Sequence, residues 1–322
     1  MKQLSTSVKV LLLLIIASLF AEIICNDRPI FMMFKGKAYF PTLSNVREID
    51  IGGDYLSSPD YADPSIIKLI NKNGYMVMPP IPYSYGTIDY LLEAPAPSKP
   101  SARHILGTDD HGRDILARLL YGLRLSLIFG ILLTFFSSVI GIFLGAIQGY
   151  YGGILDILLQ RFIEIWLGLP LLYMLIVMSS VLIPSFSLLL FIMILFGWTS
   201  LVPLVRAEFL KARNYDYVKA AKVLGISPLR IILKHILPNA MVASLSMIPF
   251  ILSASVTTLT ALDFLGLGLP LGSPSLGEML SQAKGNLQAY WISIPVFSVL
   301  ILILTLLIFV GQEIRDKLDP RS

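Results

Sequence analysis

"SLIFGILLTFFSSVIGIFLGAIQ", residues 126–148, runs for 23 residues without one charged side chain. At 1.5 Å per residue a helix of this length covers about 30 Å, the hydrocarbon thickness of a bilayer. A helix apolar on every side needs burial all round, in a large core or in lipid. Working outward, four comparable runs follow at Phe162–Ile183, Ser187–Arg206, Ala240–Leu262 and Trp291–Gly311. A sixth, Val10–Cys25, precedes them. With 55% hydrophobic and only 14% charged residues, and a mean hydropathy of +0.75, the chain of 322 residues lies outside the range of soluble domains. These observations predict an all-α polytopic membrane protein with six spans, organised as one membrane domain.

The first run is short and carries Glu22, so it competes as a signal peptide, a lipoprotein leader or a span. Small residues at a cleavage site are missing, and bulky Ile24 precedes Cys25, so an uncleaved span is the expectation. Cys25 is the single cysteine, which excludes an intramolecular disulfide and a cysteine metal cluster.

Residues 26–124 are polar, rich in Pro and Gly, and balanced at eleven basic and eleven acidic side chains. A neutral segment of this length crosses a membrane irrespective of its charges, and the short apolar runs within it suggest an irregular loop rather than an independent domain. The segment from Arg206 to Lys234 is different, with seven basic residues against two acidic ones, and Lys2, Lys9, Arg315, Lys317 and Arg321 flank the outermost spans. Positive residues mark the cytoplasmic side, so both termini and the 207–239 loop are expected there. The long first loop and residues 263–290 then lie outside, and residues 312–322 form a cytoplasmic tail.

The basic island "DYVKAAKVLGISPLRIILKHILPN", 216–239, reads as two short helices. Asp216 is placed to cap the first, Gly225 to end it in a left-handed conformation, and Ser227 to cap a second with Pro228 at its first position. Leu229, Ile232, Leu233 and Ile236 make an apolar face on the second helix, and Pro238 is expected to stop it. A helix-turn-helix for DNA is the first competing reading, but only Arg230, Lys234 and His235 are available to read bases, and lipid tethers both ends. A headgroup-bound amphipathic helix is the second. A docking element for a cytoplasmic partner is the third, favoured by the small Ala220 and Ala221.

Elsewhere structural readings outweigh functional ones. Gly141 and Gly145 form a small-xxx-small pair suited to close helix packing. Arg161 and Glu164 are spaced to pair on one helix face. Ser275 and Glu278 have capping-box spacing and predict a short helix from Leu276 to about Asn286. His104, His111 and His235 do not converge on a metal. No G-x-x-x-x-G-K-[ST] occurs, so nucleotide hydrolysis is not expected on this chain.

The island resembles the EAA loop of permease subunits of ATP-binding-cassette importers, through "DYVKAAKVLG" followed by "ILP". "LGTDDHGRDILARLLYGLRLSL" (106–127), "LDFLGLGLPLGSPSLGEML" (262–280) and "IRDKLDPR" (314–321) resemble segments of peptide and nickel permeases. Within the family the long first loop, "QGYYGG", "RFIEIW" and "FGWTSLV" point toward permeases of microcin C and oligopeptide importers of Gram-negative bacteria. The resemblance implies the six-helix type I importer fold in the bacterial inner membrane. It implies a second homologous permease subunit, two ABC ATPase subunits or one fused ATPase, a periplasmic substrate-binding protein and a peptide substrate. ATP and Mg would belong to the ATPase, with no cofactor, nucleic acid or catalytic residue on this chain. Asp216, Ala220, Ala221, Gly225, Leu237 and Pro238 match the coupling-loop motif, whereas Lys219 stands where the family usually has Glu. The rival reading is a secondary transporter or channel without ATPases, against which stand the few ionisable groups in the spans. An intramembrane enzyme has no paired carboxylates or histidine cluster to recommend it.

Overall fold

The computed structural model describes residues 6–318. In chain order the helices and strands are α1 (Thr6–Leu19), α2 (Ala21–Ile24), β1 (Phe31–Phe34), β2 (Lys37–Tyr39), α3 (Pro64–Asn73), β3 (Gly74–Val77), α4 (Ile115–Tyr151), α5 (Gly153–Leu167), α6 (Leu171–Val181), α7 (Phe186–Gly197), α8 (Val202–Ala212), α9 (Asp216–Val223), α10 (Pro228–Arg230), α11 (Leu237–Phe264), α12 (Leu276–Gly285) and α13 (Tyr290–Leu318). They form two compact units: Leu12–Leu125 with Gly272–Leu300, and Ser126–Leu271 with the chain up to Leu11 and from Ile301 onward.

Four of the predicted runs sit on helices longer than the runs themselves. Residues 126–148 lie inside the 37-residue α4, and Ser187–Arg206 lies inside an almost continuous helix, Phe186–Ala212, that tightens into a single 3₁₀ turn at Trp198–Ser200. Ala240–Leu262 and Trp291–Gly311 fall within Pro228–Phe264 and Tyr290–Lys317. Phe162–Ile183 is not one straight helix. Gly168 and Pro170 separate α5 from α6, which meet at a 64° bend. Pro170 cannot donate its backbone N–H and restricts the residue before it, which breaks the ladder there. By length and apolarity the described residues thus offer four spanning helices, or five with the bent pair. The first run forms the 14-residue α1 and the one-turn α2, short of a full span on this measure.

A glycine stripe brings α4 against α8. A β-carbon at Gly141 would meet the Trp198 carbonyl oxygen at 2.6 Å, one at Gly145 would meet Val205 Cβ at 2.8 Å, and one at Gly149 would meet the Arg206 carbonyl at 2.6 Å. The predicted small-xxx-small pair therefore extends one step further, and its role is packing. Asp156, at the start of α5, receives both Nε and Nη2 of Arg206 on α8, at 2.5 and 2.6 Å. Arg161 donates to Glu164 on an exposed face at 2.5 Å, as their spacing predicts.

The unit of Leu12–Leu125 with Gly272–Leu300 corrects the expectation of an irregular loop, and with it the all-α description of this part of the chain. Residues 31–77 fold as an antiparallel sheet of order β2-β1-β3, with Met32 opposite Tyr39 on one side and opposite Met76 on the other. Asp63 caps α3 by accepting from Ser65 N–H at 2.7 Å, with Pro64 in the first turn where no donor is required. Met32, Phe34, Ile51, Tyr61, Ile66 and Ile70 bury a core of their own. Gly74 is demanded by contact rather than by torsion: a β-carbon there would lie 1.8 Å from the Met33 carbonyl oxygen.

Buried ion pairs complete this unit. Arg118, near the start of α4, is fully buried and donates to the Tyr85 and Ser273 carbonyls, both at 3.1 Å, and to Glu278 at 2.7 Å. Arg113 donates to Asp109 at 2.7 Å. Ser275 caps α12 by accepting from Gly277 and Glu278 N–H, as the sequence predicts. His104 lies between Asp114 (Nδ1 to Oδ2, 2.8 Å) and Asp89 (Nε2 to Oδ2, 3.2 Å). Burial opposes a charge on His104, but the hydrogen bonds and charges of the two carboxylates outweigh it and hold its pKa above the ordinary histidine value.

Candidate functional site

The 216–239 island folds back onto its own spans. Tyr215, extended at φ −69° and ψ 146°, occupies the N-cap, so Asp216 is the first helical residue and makes no capping hydrogen bond. This corrects the expected cap by Asp216. Its carboxylate is fully exposed and reaches Lys219 at 3.5 Å. An acidic residue in the first turn still complements the helix dipole.

The end of α9 follows the sequence closely. Gly225 adopts φ +73°, Ile226 N–H donates to the Ala221 carbonyl at 3.1 Å, and Gly225 N–H donates to that of Lys222 at 3.0 Å. These two bonds make a Schellman motif, which needs a residue that tolerates the left-handed region.

Beyond Gly225 the expectation of a second short helix stopped by Pro238 fails. Ser227 precedes Pro228 but makes no capping hydrogen bond. The helix continues through a π turn at Ile231–Ile236 straight into α11, with Pro238 in the first turn of that segment. The wider turn re-registers the carbonyls ahead of a residue that has no N–H to donate. The buried face differs as well: Ile231 and Ile236 are fully buried, while Leu229 and Leu233 stand 66% and 51% exposed.

Two faces of the island have different jobs. Val218, Ala221, Ile231 and Ile236 pack in one cluster with Ala146 and Tyr150 of α4 and with Val205, Phe209 and Ala212 of α8. Lys222 Nζ sits 5.0 Å from the centre of the Tyr150 ring. The opposite surface leaves Val223 and Leu224 87% and 78% exposed beside Leu229 and Leu233, with Ala220, Gly225 and Pro238 also exposed. The two alanines therefore separate: Ala221 is small because it fits against the chain's own spans, and Ala220 faces outward. Leu237 is half-buried and packs at the edge of the cluster.

Four large apolar side chains, Val223, Leu224, Leu229 and Leu233, thus stay exposed on an otherwise basic element, which is what an interaction site would need. Sequence reasoning did not find the Asp156–Arg206 pair beside this cluster, because 50 residues separate its members. Its only linear signal is two charges of opposite sign at the edges of separate apolar runs. His104 is buried between two carboxylates, whereas the exposed His111 contacts Asp110 and Arg113. Asp109, Asp110 and His111 have ligand atoms within 4.8 Å of one another, but Arg113 already occupies Asp109.

The chain is 52% identical over 316 residues to the inner membrane ABC transporter permease protein YejE of Escherichia coli (strain K12), covering 98% of this chain and 93% of that protein. It is 47% identical to the peptidoglycan transport system permease protein YejE of Agrobacterium fabrum, covering 97% and 88%. It is 37% identical to the dipeptide transport system permease protein DppC of Haemophilus influenzae, covering 76% and 79%. Inward-facing structures of the MetNI methionine ABC transporter match 64% of this chain and 98% of theirs, with a TM-score of 0.51 at 18% identity, a likeness of fold alone. Residues 121–322 match the profile of the binding-protein-dependent transport system inner membrane components, and the chain belongs to that family.

Proposed function

We propose that this chain is the permease subunit of an ATP-driven ABC importer that moves peptides across the inner membrane. The peptide class is supported by the permeases it is similar to, of which one is described as a dipeptide and one as a peptidoglycan transport protein. In this reading six helices cross the membrane, α1 with α2 being the first and the bent α5–α6 pair the third. The basic island and both termini face the cytoplasm. A second homologous permease completes the passage, two ATPase subunits or one fused ATPase bind ATP and Mg, and a periplasmic binding protein delivers the peptide.

The observation that carries the proposal is the two-sided island. One side presents exposed Val223, Leu224, Leu229 and Leu233, while the other seats Val218, Ala221 and Ile231 among residues of α4 and α8. A partner that grips the exposed side displaces the buried side, and the glycine-packed α4 and α8 move with it. Asp216, Ala220, Ala221, Gly225, Leu237 and Pro238 belong to this coupling element. Lys219 does not disturb it, since it is exposed and pairs with Asp216.

Leu224→Glu tests the proposal, because the residue is exposed and its replacement leaves the buried cluster intact. ATPase co-purification should fall at least about tenfold, the effect of about 1.4 kcal/mol, with the chain still folded in the membrane. Undiminished co-purification and uptake would contradict it.

A further inference from the structure

Within residues 27–103 lies a cavity of about 660 Å³ that the coupling element does not explain. Its size is within the roughly 300–1,000 Å³ of small-ligand sites. Met76, Met78 and Tyr83 give it apolar wall, and Arg28 and Arg103 add two guanidinium groups. Neither guanidinium is within ion-pairing distance of a carboxylate among the described residues, although Arg103 favours the ionised form of nearby Asp89. Asp89 has both oxygens engaged, Oδ1 by Leu91 N–H and Oδ2 by His104 and Tyr83. Asp27 accepts from Thr87 and Asp60 from Ala62 N–H, each through one oxygen, which leaves the other oxygen available.

A second observation points to a ligand. Tyr61, another wall residue, is 3% exposed, and its hydroxyl has no hydrogen-bond partner among the described residues. Burial pushes its phenol pKa up to about 12, and the charge of Arg28, which lines the same cavity, acts against that rise. An unmet buried hydroxyl is destabilising unless something supplies its bond. Met76 and Met78 pack against the cluster that contains Tyr61, and methionine side chains are flexible.

We infer that this cavity binds a short zwitterionic peptide with apolar side chains, its carboxylate held by Arg28, Arg103 and the Tyr61 hydroxyl. Its ammonium is held by Asp27 and Asp60, and its side chains lie on Met76, Met78 and Tyr83. The lining holds two guanidinium groups without ion-pair partners among the described residues and two carboxylates with spare acceptors, a set that matches a ligand with one charge of each sign, and arginine suits a planar carboxylate. The inference rests on the peptide-importer reading and adds to it a contact for substrate on this chain itself.

The test is equilibrium binding of tritium-labelled trileucine to the purified full chain in phosphatidylcholine nanodiscs, without ATPase or binding protein. Saturable binding is expected, with the C-terminal amide and the N-acetyl peptide each about tenfold weaker, as loss of one charged hydrogen-bonded contact implies. Arg28→Gln and Arg103→Gln should weaken trileucine to a similar degree. Tyr61→Phe should weaken it several-fold while leaving the thermal midpoint unchanged or raised, which separates binding from folding. Equal binding of free and blocked peptides, or binding unaffected by all three substitutions, would overturn the inference. So would displacement of trileucine by phosphatidylglycerol in the nanodisc, which would assign the cations to a lipid headgroup. Failure here with intact ATP-driven uptake leaves the permease reading standing, and binding without uptake would do the reverse.

Discussion

At the scale of single residues, backbone demands and ionisation make the sharpest predictions. Gly225 holds φ +73° with open space around the missing side chain, so Gly225→Ala carries a torsional cost of about 1–2 kcal/mol and no clash. Thermal unfolding in detergent should show that loss, together with weaker coupling. At Gly149 the obstacle is contact, since a β-carbon would press on the Phe209 side chain and the Arg206 carbonyl. Gly149→Val should therefore be destabilising by about 1–3 kcal/mol or more, as overpacking is.

His104 is the pH-sensitive residue. Both ring nitrogens face carboxylates, so the doubly protonated form makes both hydrogen bonds. A pKa raised in the folded state contributes stability that is fully present below the unfolded value near 6.5 and is lost as pH rises through the folded value. Protease susceptibility of residues 89–114 should accordingly increase above pH 6.5, and His104→Asn should abolish that dependence. A flat profile in the unsubstituted chain would contradict the arrangement.

At the scale of elements, the sequence shows where helices are and hides where they end. The hydropathy of residues 126–148 marks a span, but α4 begins at Ile115, eleven residues earlier. Arg118 and Arg124 conceal that start, because a charge reads as a boundary until its partner is known, and Glu278 and Glu22 are far away in the chain. The run of 162–183 hides a bend for the opposite reason: its composition is uniform and only Gly168 and Pro170 mark the break. The sheet at 31–77 was not legible, since strands of three or four residues give too short an alternation to stand out. By contrast the C-terminal end of α9 and the N-cap of α12 were readable, because Gly225 and Ser275 act within four residues of themselves, although the N-cap of α9 was misplaced by one residue. Asp156 and Arg206 tie α5 to α8, and Asp156→Asn leaves a guanidinium without its bidentate partner, at about 2 kcal/mol. The double substitution D156N/R206M should restore part of that loss in a melting experiment, because it removes the guanidinium that Asp156→Asn leaves without a counter-charge.

At the scale of the whole molecule, the account rests on one division of labour. The apolar runs were legible in the sequence and led to a polytopic membrane protein, and the resemblance of the 216–239 island to the EAA loop implied an importer permease, a family that 52% identity to one relative supports. The opposite faces of the coupling element were not, since Ala220 and Ala221 are adjacent and alike until packing separates them. In the proposed function that separation makes a two-sided lever, with exposed apolar side chains on one side and a root among α4 and α8 on the other. The measurement that tests it most directly is ATP-driven uptake of labelled peptide in proteoliposomes holding the complete importer, with this chain unsubstituted or carrying Leu224→Glu. The account predicts uptake that requires ATP and falls at least about tenfold with the substitution. Uptake that proceeds without the ATPase, or that Leu224→Glu leaves unchanged, would contradict it.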